Sequence, residues 1–282
     1  NCPTCQISLS YHKKSNLLKC HHCGYEQPFL NMCTVCHSTK IRTVGIGVEQ
    51  VEISLKKLFP QAKISRLDTD SIRYKGDTDK ILFDFNEHKS DILLGTQMIA
   101  KGHDFKNVTL IGVLLADMSL KFPSYKANEQ TFNLLSQAAG RPGRAGQKSN
   151  VIIQAYDTNH FVLKAVLENN YQSYYKQELA IRRLGKYEPL YQVVKVILLG
   201  KEEDKTRSSL LEVKRYLLKS HTKFEILGPV ADFILFKNDY YHFQMTIKTS
   251  PNEQLGFILA KIEHYYVNKP FLLNIDFYPD VI

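Results

Sequence analysis

Three C-x-x-C pairs open the chain: Cys2/Cys5, Cys20/Cys23 and Cys33/Cys36, and they account for all six of its cysteines. Each pair has the knuckle spacing that aims two thiolates at one tetrahedral ion. Fourteen residues separate the first pair from the second, just under the usual zinc-ribbon interval. Cysteines gathered at one end and absent elsewhere point to a metal rather than to disulfides. A structural Zn²⁺ on Cys2, Cys5, Cys20 and Cys23 follows. It supplies on the order of 10 kcal/mol of folding free energy to a segment too small for a core of its own.

Cys33 and Cys36 are then half a site. His12, His21, His22 or His37 complete it, or a further pair before Asn1 does; the abrupt start at Asn1 and Cys2 favours the second, and with it a trimmed chain. A free or redox-active dithiol is the third alternative, disfavoured because three pairs in a row are unlike a lone redox motif. Full Cys coordination leaves no open position for a water, which argues against a zinc hydrolase.

After the cysteines, residues 39–156 alternate buried-type strands with helices. "TKIRTVG", "AKISRLD", "DILLG", "VTLIGVLLA" and "NVIIQAY" read as strands; Val48–Phe59, Asp77–Glu87 and Ala127–Gly140 read as helices. This order predicts an α/β layer with a mainly parallel sheet. Residues 157–188 read as two connecting helices, His160–Leu167 and Tyr171–Leu184. Residues 189–282 give strand, helix, strands ("KFEILG", "ADFILFK", "YYHFQMTIK"), helix and strand. Their β-α-β-β-α-β succession is that of a ferredoxin-like α+β domain, with room for one extra strand. The expected domains are therefore 1–38, 39–156, 157–188 and 189–282.

A net charge of +9 favours a polyanionic partner, and 16 Tyr and 15 Phe offer stacking surfaces. No apolar run is long enough for a membrane span. Lys13, Lys14 and Lys19 beside Tyr11 and His12 fit either single-stranded DNA or a solvated face. Asp68 and Asp70 form a D-x-D, for which a strand-end turn is favoured over a metal site. Tyr171, Tyr174 and Tyr175 have helical spacing and read as packing.

Two stretches carry phosphate chemistry. In "ILLGTQMIAKGHDF", Gly95 and Thr96 fall where a parallel strand ends, the edge at which open α/β sheets hold ligands. In "QAAGRPGRAG", Gly140 and Pro142 stop a helix beside Arg141 and Arg144. A proline turns the preceding arginine away from the helix axis, and guanidinium forks at such an edge hold phosphate bidentately. An isolated Arg-rich helix end would merely complement the dipole, by about 0.3–1 kcal/mol. The glycine-flanked pair beside "GTQ" shifts the balance toward phosphate.

"GTQMIAKGHDF" resembles motif V, and "QAAGRPGR" motif VI, of superfamily 2 helicases. With "CPTC", "CHHCG", "RLDTD" and "ILGP", nearly the whole chain resembles the C-terminal part of the primosomal protein N′ (PriA) family of replication-restart helicases. The resemblance implies a RecA-like second lobe between the Cys-rich zinc module and the C-terminal domain. It implies that Arg141 and Arg144, with Gly143 between them, serve catalysis at the ATP γ-phosphate. It places Gly102, Asp104, Gln137 and Gly140 on the nucleotide, and Gly95, Thr96, Gln97 and Lys101 on DNA. It implies two zinc ions, with Cys2, Cys5, Cys20 and Cys23 as the complete inner site and Cys33 and Cys36 as half of the outer one.

It further implies ATP and Mg²⁺ as cofactors and 3′-to-5′ unwinding at stalled forks. The partners implied are forked and single-stranded DNA, single-strand binding protein, other primosome proteins and the replicative helicase that it helps to load, in the bacterial cytoplasm at the nucleoid. Three departures stand out: Pro142 replaces the Ala usual between the motif VI arginines, Val48 the usual Thr, and "DFYP" the usual "DVDP". These residues hold no G-x-x-x-x-G-K-[ST] loop and no D-E-x-H, so they are expected to be inactive alone. The competing expectation is a non-catalytic zinc-ribbon DNA-binding or scaffold protein.

Overall fold

The computed structural model describes residues 2–3, 9–12, 16–20, 24–30, 32, 36–40, 47–68, 76–96, 99, 108–140, 150–220, 224–251 and 253–280. They form two compact units. The first unites Asn1–Thr39, Lys121–Ala127 and Gln172–Ile282; the second unites Lys40–Leu120 and Asn128–Tyr171.

The Cys-rich end of the first unit contains three short strands, β1 (Ser10–His12), β2 (Leu17–Lys19) and β3 (Glu26–Pro28), paired antiparallel in that order. Sequence periodicity missed them, because three residues are too few to show an alternation.

The second unit is α/β. It contains α1 (Val48–Leu58), β4 (Ile64–Leu67), α2 (Asp77–Asn86), β5 (Ile92–Gly95), β6 (Leu110–Val113), α3 (Asp117–Leu120), α4 (Ala127–Ala139), β7 (Asn150–Ile153) and α5 (Phe161–Leu167). Acidic Glu49 in the first turn of α1 and Lys56 and Lys57 in its last complement the helix dipole. β4 pairs parallel with β5, and β6 parallel with β7, giving two separate two-stranded ladders among the described residues. The expected strand "VTLIGVLLA" is shortened to β6, because the chain leaves the strand before Leu115, whose φ is +50°. "TKIRTVG" lies mostly outside the described residues.

The rest of the first unit runs α6 (Tyr171–Gly185), β8 (Gln192–Gly200), α7 (Glu203–Lys219), β9 (Glu225–Lys237), β10 (Tyr240–Thr249), α8 (Glu253–Tyr266) and β11 (Phe271–Phe277). The sheet order is β11-β8-β10-β9, antiparallel throughout. No extra strand forms there among the described residues. "KFEILG" and "ADFILFK" are one strand, β9, whose pairing with β10 shifts register twice. One shift lies near Gly228, whose φ of +88° is in the left-handed region that favours glycine.

Alternation along these strands divides the sheet's two faces. Val194, Val196, Leu198, Phe243, Met245 and Ile247 pack with Leu210, Val213 and Leu217 of α7 and Leu255, Leu259 and Ile262 of α8. On the opposite face Val193 and Leu227 pack with Cys2, Cys20, Tyr25, Tyr125 and Tyr187. The Cys-rich module thus covers the face that the helices leave open. No helix among the described residues is long and apolar enough to cross a membrane.

Buried Lys195 sits on that second face, 3.9 Å from Asp232 and opposite Asp276 in the register. Burial pushes its ammonium below the ordinary lysine range, with Asp232 and Asp276 opposing the shift. The charge therefore costs stability at neutral pH, and the cost fades as pH rises through the lowered folded-state value toward the unfolded one. Lys195→Met is expected to stabilise the fold by about 1 kcal/mol at pH 7. Thermal melts at pH 7 and pH 10 check this, the gap between variant and wild type narrowing at the higher pH.

Candidate functional site

In the second unit the carboxyl ends of the parallel strands define the candidate phosphate edge. Gly95 ends β5, and a Cβ there would lie 2.1 Å from the Leu67 carbonyl oxygen and 2.8 Å from Ile99 Cδ1. Only glycine lets the two strand ends approach so closely. Thr96 follows, exposed, and its carbonyl accepts from the Ile99 N–H at 3.2 Å. Gly95→Ala should therefore lower stability by about 3 kcal/mol or more, seen as a fall in the denaturant midpoint at unchanged slope.

Asp68, at the end of β4, is buried and accepts from Arg66 Nε at 2.6 Å. Arg66 also lies 3.5 Å from Glu49 and 3.7 Å from Glu52. The hydrogen bond to Asp68 raises the Arg66 guanidinium above its usual range, and the Lys56 hydrogen bond lowers the Glu52 carboxyl, with Arg66 adding to it. Asp68 is thus committed to an ion pair; Asp70 lies outside the described residues.

Sequence reasoning missed Asp117. Its carboxylate closes the ends of β6 and β7, Oδ2 accepting from the Tyr156 and Asp157 N–H groups at 3.0 and 3.2 Å. Oδ1 is enclosed and has no hydrogen-bond partner among the described residues. The available signal was "VLLAD", an acid placed directly after an apolar run.

Helix α4 buries Thr131, Phe132, Leu135 and Ala138, so Gln137 and Gly140 stand together on its exposed side. The helix stops at Gly140, whose N–H reaches the Ser136 carbonyl at 2.9 Å. Arg141 and Arg144 follow this end, and with Gln97, Lys101, Gly102 and Asp104 they lie outside the described residues.

In the first unit Cys2 and Cys20 are 0% and 2% exposed, share one cluster and are not joined in a disulfide. Cys20 opens a tight turn: its N–H donates to the Tyr25 carbonyl at 2.8 Å, and its own carbonyl accepts from Gly24 at 2.9 Å. Gly24 sits at φ +80°, with Val230 Cγ1 only 2.6 Å from where a Cβ would stand. Two buried thiols brought together from distant C-x-x-C pairs, one on a tight turn, fit a thiolate zinc site. Cys36 is exposed and not part of that cluster. Cys5, Cys23 and Cys33 lie outside the described residues, and among those described no three ligands assemble.

Lys19 is held by Glu26 at 2.6 Å, which favours the solvated, paired reading of that cation. Tyr11, half exposed, packs its ring 4.5 Å from Phe29. Of the tyrosine stripe, only Tyr174 is core, as packing requires; Tyr171 and Tyr175 are both exposed, although the Tyr171 ring lies 6.0 Å from that of Phe132.

Comparison with known proteins adds two matches by family. The PriA DNA helicase Cys-rich region (CRR) domain matches residues 2–28, and the helicase conserved C-terminal domain matches residues 25–146. The chain is 41% identical to the replication restart protein PriA of Bacillus subtilis, over 99% of the chain and 35% of that protein. It is 35% identical to that of Haemophilus influenzae over 88% of the chain and 34% of the protein. For that of Borreliella burgdorferi the identity is 32%, over 99% of the chain and 42% of the protein. The chain spans about a third of the length of these relatives.

Proposed function

The chain belongs to the PriA family of replication restart proteins, and from that premise we propose that it supplies the second motor lobe and the zinc module of an ATP-dependent 3′-to-5′ DNA helicase. The helicase acts at stalled forks, restarts replication and helps to load the replicative helicase. The observation that carries this reading is positional. Gly95 and Thr96 end a parallel strand, Gln137 and Gly140 end a helix leading into Arg141 and Arg144, and both ends belong to one α/β unit.

We assign Arg141 and Arg144 to the γ-phosphate of ATP, where forked guanidinium groups stabilise charge as it develops on the transferring phosphoryl. Gly102, Asp104, Gln137 and Gly140 belong to the nucleotide side. Gly95, Thr96, Gln97 and Lys101 belong to the DNA backbone. ATP and Mg²⁺ need a phosphate cradle that these residues do not include. Cys2, Cys5, Cys20 and Cys23 hold one structural zinc, and Cys33 and Cys36 contribute half of a second. The second unit is the RecA-like lobe. The strand order β11-β8-β10-β9 supports a ferredoxin-like assignment for residues 189–282, with 1–38 as the zinc module, 39–156 as the lobe and 157–188 as the connector. Partners are forked and single-stranded DNA, single-strand binding protein, other primosome proteins and the replicative helicase, in the bacterial cytoplasm at the nucleoid.

The test joins these residues to a Walker-type lobe and measures unwinding of duplexes tailed at either end. ATP-dependent opening from a 3′ tail is expected. DNA binding without nucleotide turnover would favour a scaffold instead.

A further inference from the structure

The segment Lys121–Ala127 groups with residues distant from it in sequence. It belongs to the first unit, whereas Leu120 before it and Asn128 after it belong to the second. Its anchors are dense. Ser124 Oγ donates to the Asp280 carbonyl at 2.5 Å. Lys126 Nζ donates to the Tyr278 carbonyl at 3.0 Å and to Asp280 Oδ1 at 2.8 Å. Tyr125 donates to Glu188 Oε1 at 2.6 Å and stacks on Tyr187, with centroids 4.5 Å apart and the rings 4° from parallel. The Arg182 guanidinium lies 5.2 Å from the Tyr125 ring centre, held by Glu178 at 2.7 Å.

Two further facts give this segment a direction. Tyr125 and Tyr187 share their buried cluster with Cys2 and Cys20. Ala127 is also the first residue of α4, which ends beside Arg141. A single stretch of chain therefore touches the Cys-rich module and then becomes the helix that leads to the arginines. A surface loop would need neither a stacked aromatic pair nor three bonds to the chain's far end.

We propose that Tyr125 and Lys126 are positioning residues, a latch through which the state of the Cys-rich module reaches α4, the helix that precedes Arg141 and Arg144 in the sequence. The last link of this chain rests on the reading of Arg141 and Arg144 as phosphate-binding. Cutting the latch leaves both ends intact, so it should uncouple them rather than disable either.

Amide hydrogen exchange on the full chain tests the latch without any activity. In the wild type, stripping zinc with a chelator should speed exchange across residues 128–139 several-fold, while β8 and β10 stay protected. Lys126→Ala should show the fast rate even with zinc bound. Tyr125→Phe, which keeps the stack and loses only the Glu188 bond, should fall between. An α4 indifferent to zinc removal, or variants that respond like the wild type, would overturn the latch. So would loss of protection in β8 and β10 together with α4, since that is global unfolding. In a polypeptide with the Walker-type lobe, Lys126→Ala should keep its ATP turnover and open several-fold fewer base pairs per ATP. If the wild type turns over no ATP there, the helicase reading fails, and the exchange result still decides the latch.

Discussion

Arg144→Ala, in a polypeptide that joins these residues to a Walker-type lobe, is expected to lower DNA-stimulated ATP turnover by roughly 10³–10⁵-fold, the range set by arginine fingers elsewhere. Arg141→Ala should do the same. The loss should fall on kcat rather than KM, because the guanidinium is needed most where charge develops on the phosphoryl group. Lysine at either position keeps the charge but not the planar fork, so most of the loss should remain. Stability should not move. The core of α4 is Thr131, Phe132, Leu135 and Ala138, all before the arginines. Steady-state kinetics paired with a melting curve separates the two effects. A variant that melts early would instead place the arginines in the fold.

The second large effect is loss of zinc. Removing the metal, or replacing Cys20 with serine, should withdraw on the order of 10 kcal/mol from the Cys-rich module. That module has little else: its strands are three residues each, and it shares its buried cluster with Tyr125, Tyr187, Val193 and Leu227 from the rest of the unit. The α7/α8 face of the sheet has its own core and should survive. The chain contains no tryptophan, so tyrosine emission reports the change directly as Tyr25, Tyr125 and Tyr187 lose their cover. Zinc affinity should also fall as pH drops, because protons compete for the thiolates. Elemental analysis alongside the emission change checks both points.

The elements of the two units were largely legible in the sequence, for reasons that differ between them. The strand-like runs "VVKVILL" and "YYHFQMTIK" placed β8 and β10, whose Val194, Val196, Leu198, Phe243, Met245 and Ile247 pack with α7 and α8. Helix α4 was legible at both ends, since Gly140 and Pro142 stop it. The merging of two strand-like runs into β9 was not, because Gly228-Pro229 reads as a break and only the register shifts of the pair show that the chain continues.

Legibility of the site divides in the same way. Gly95 was found as a glycine at a strand end, but its reason, the Leu67 carbonyl 2.1 Å from the absent Cβ, is tertiary. Asp117 and the segment around Tyr125 were not found. Asp117 acts on backbone groups 39 and 40 residues further on, and Tyr125 on a side chain 63 residues further on. Contacts that far apart leave no period in a sequence.

The measurement that bears most directly on the central claim is ATP turnover by residues 1–282 alone, with and without forked DNA, on protein of known zinc content. The account predicts none, because Arg141 and Arg144 need a nucleotide held by a Walker-type cradle that these residues lack. Robust turnover from these residues would contradict it, since it would require a nucleotide site for which the sequence has no phosphate loop.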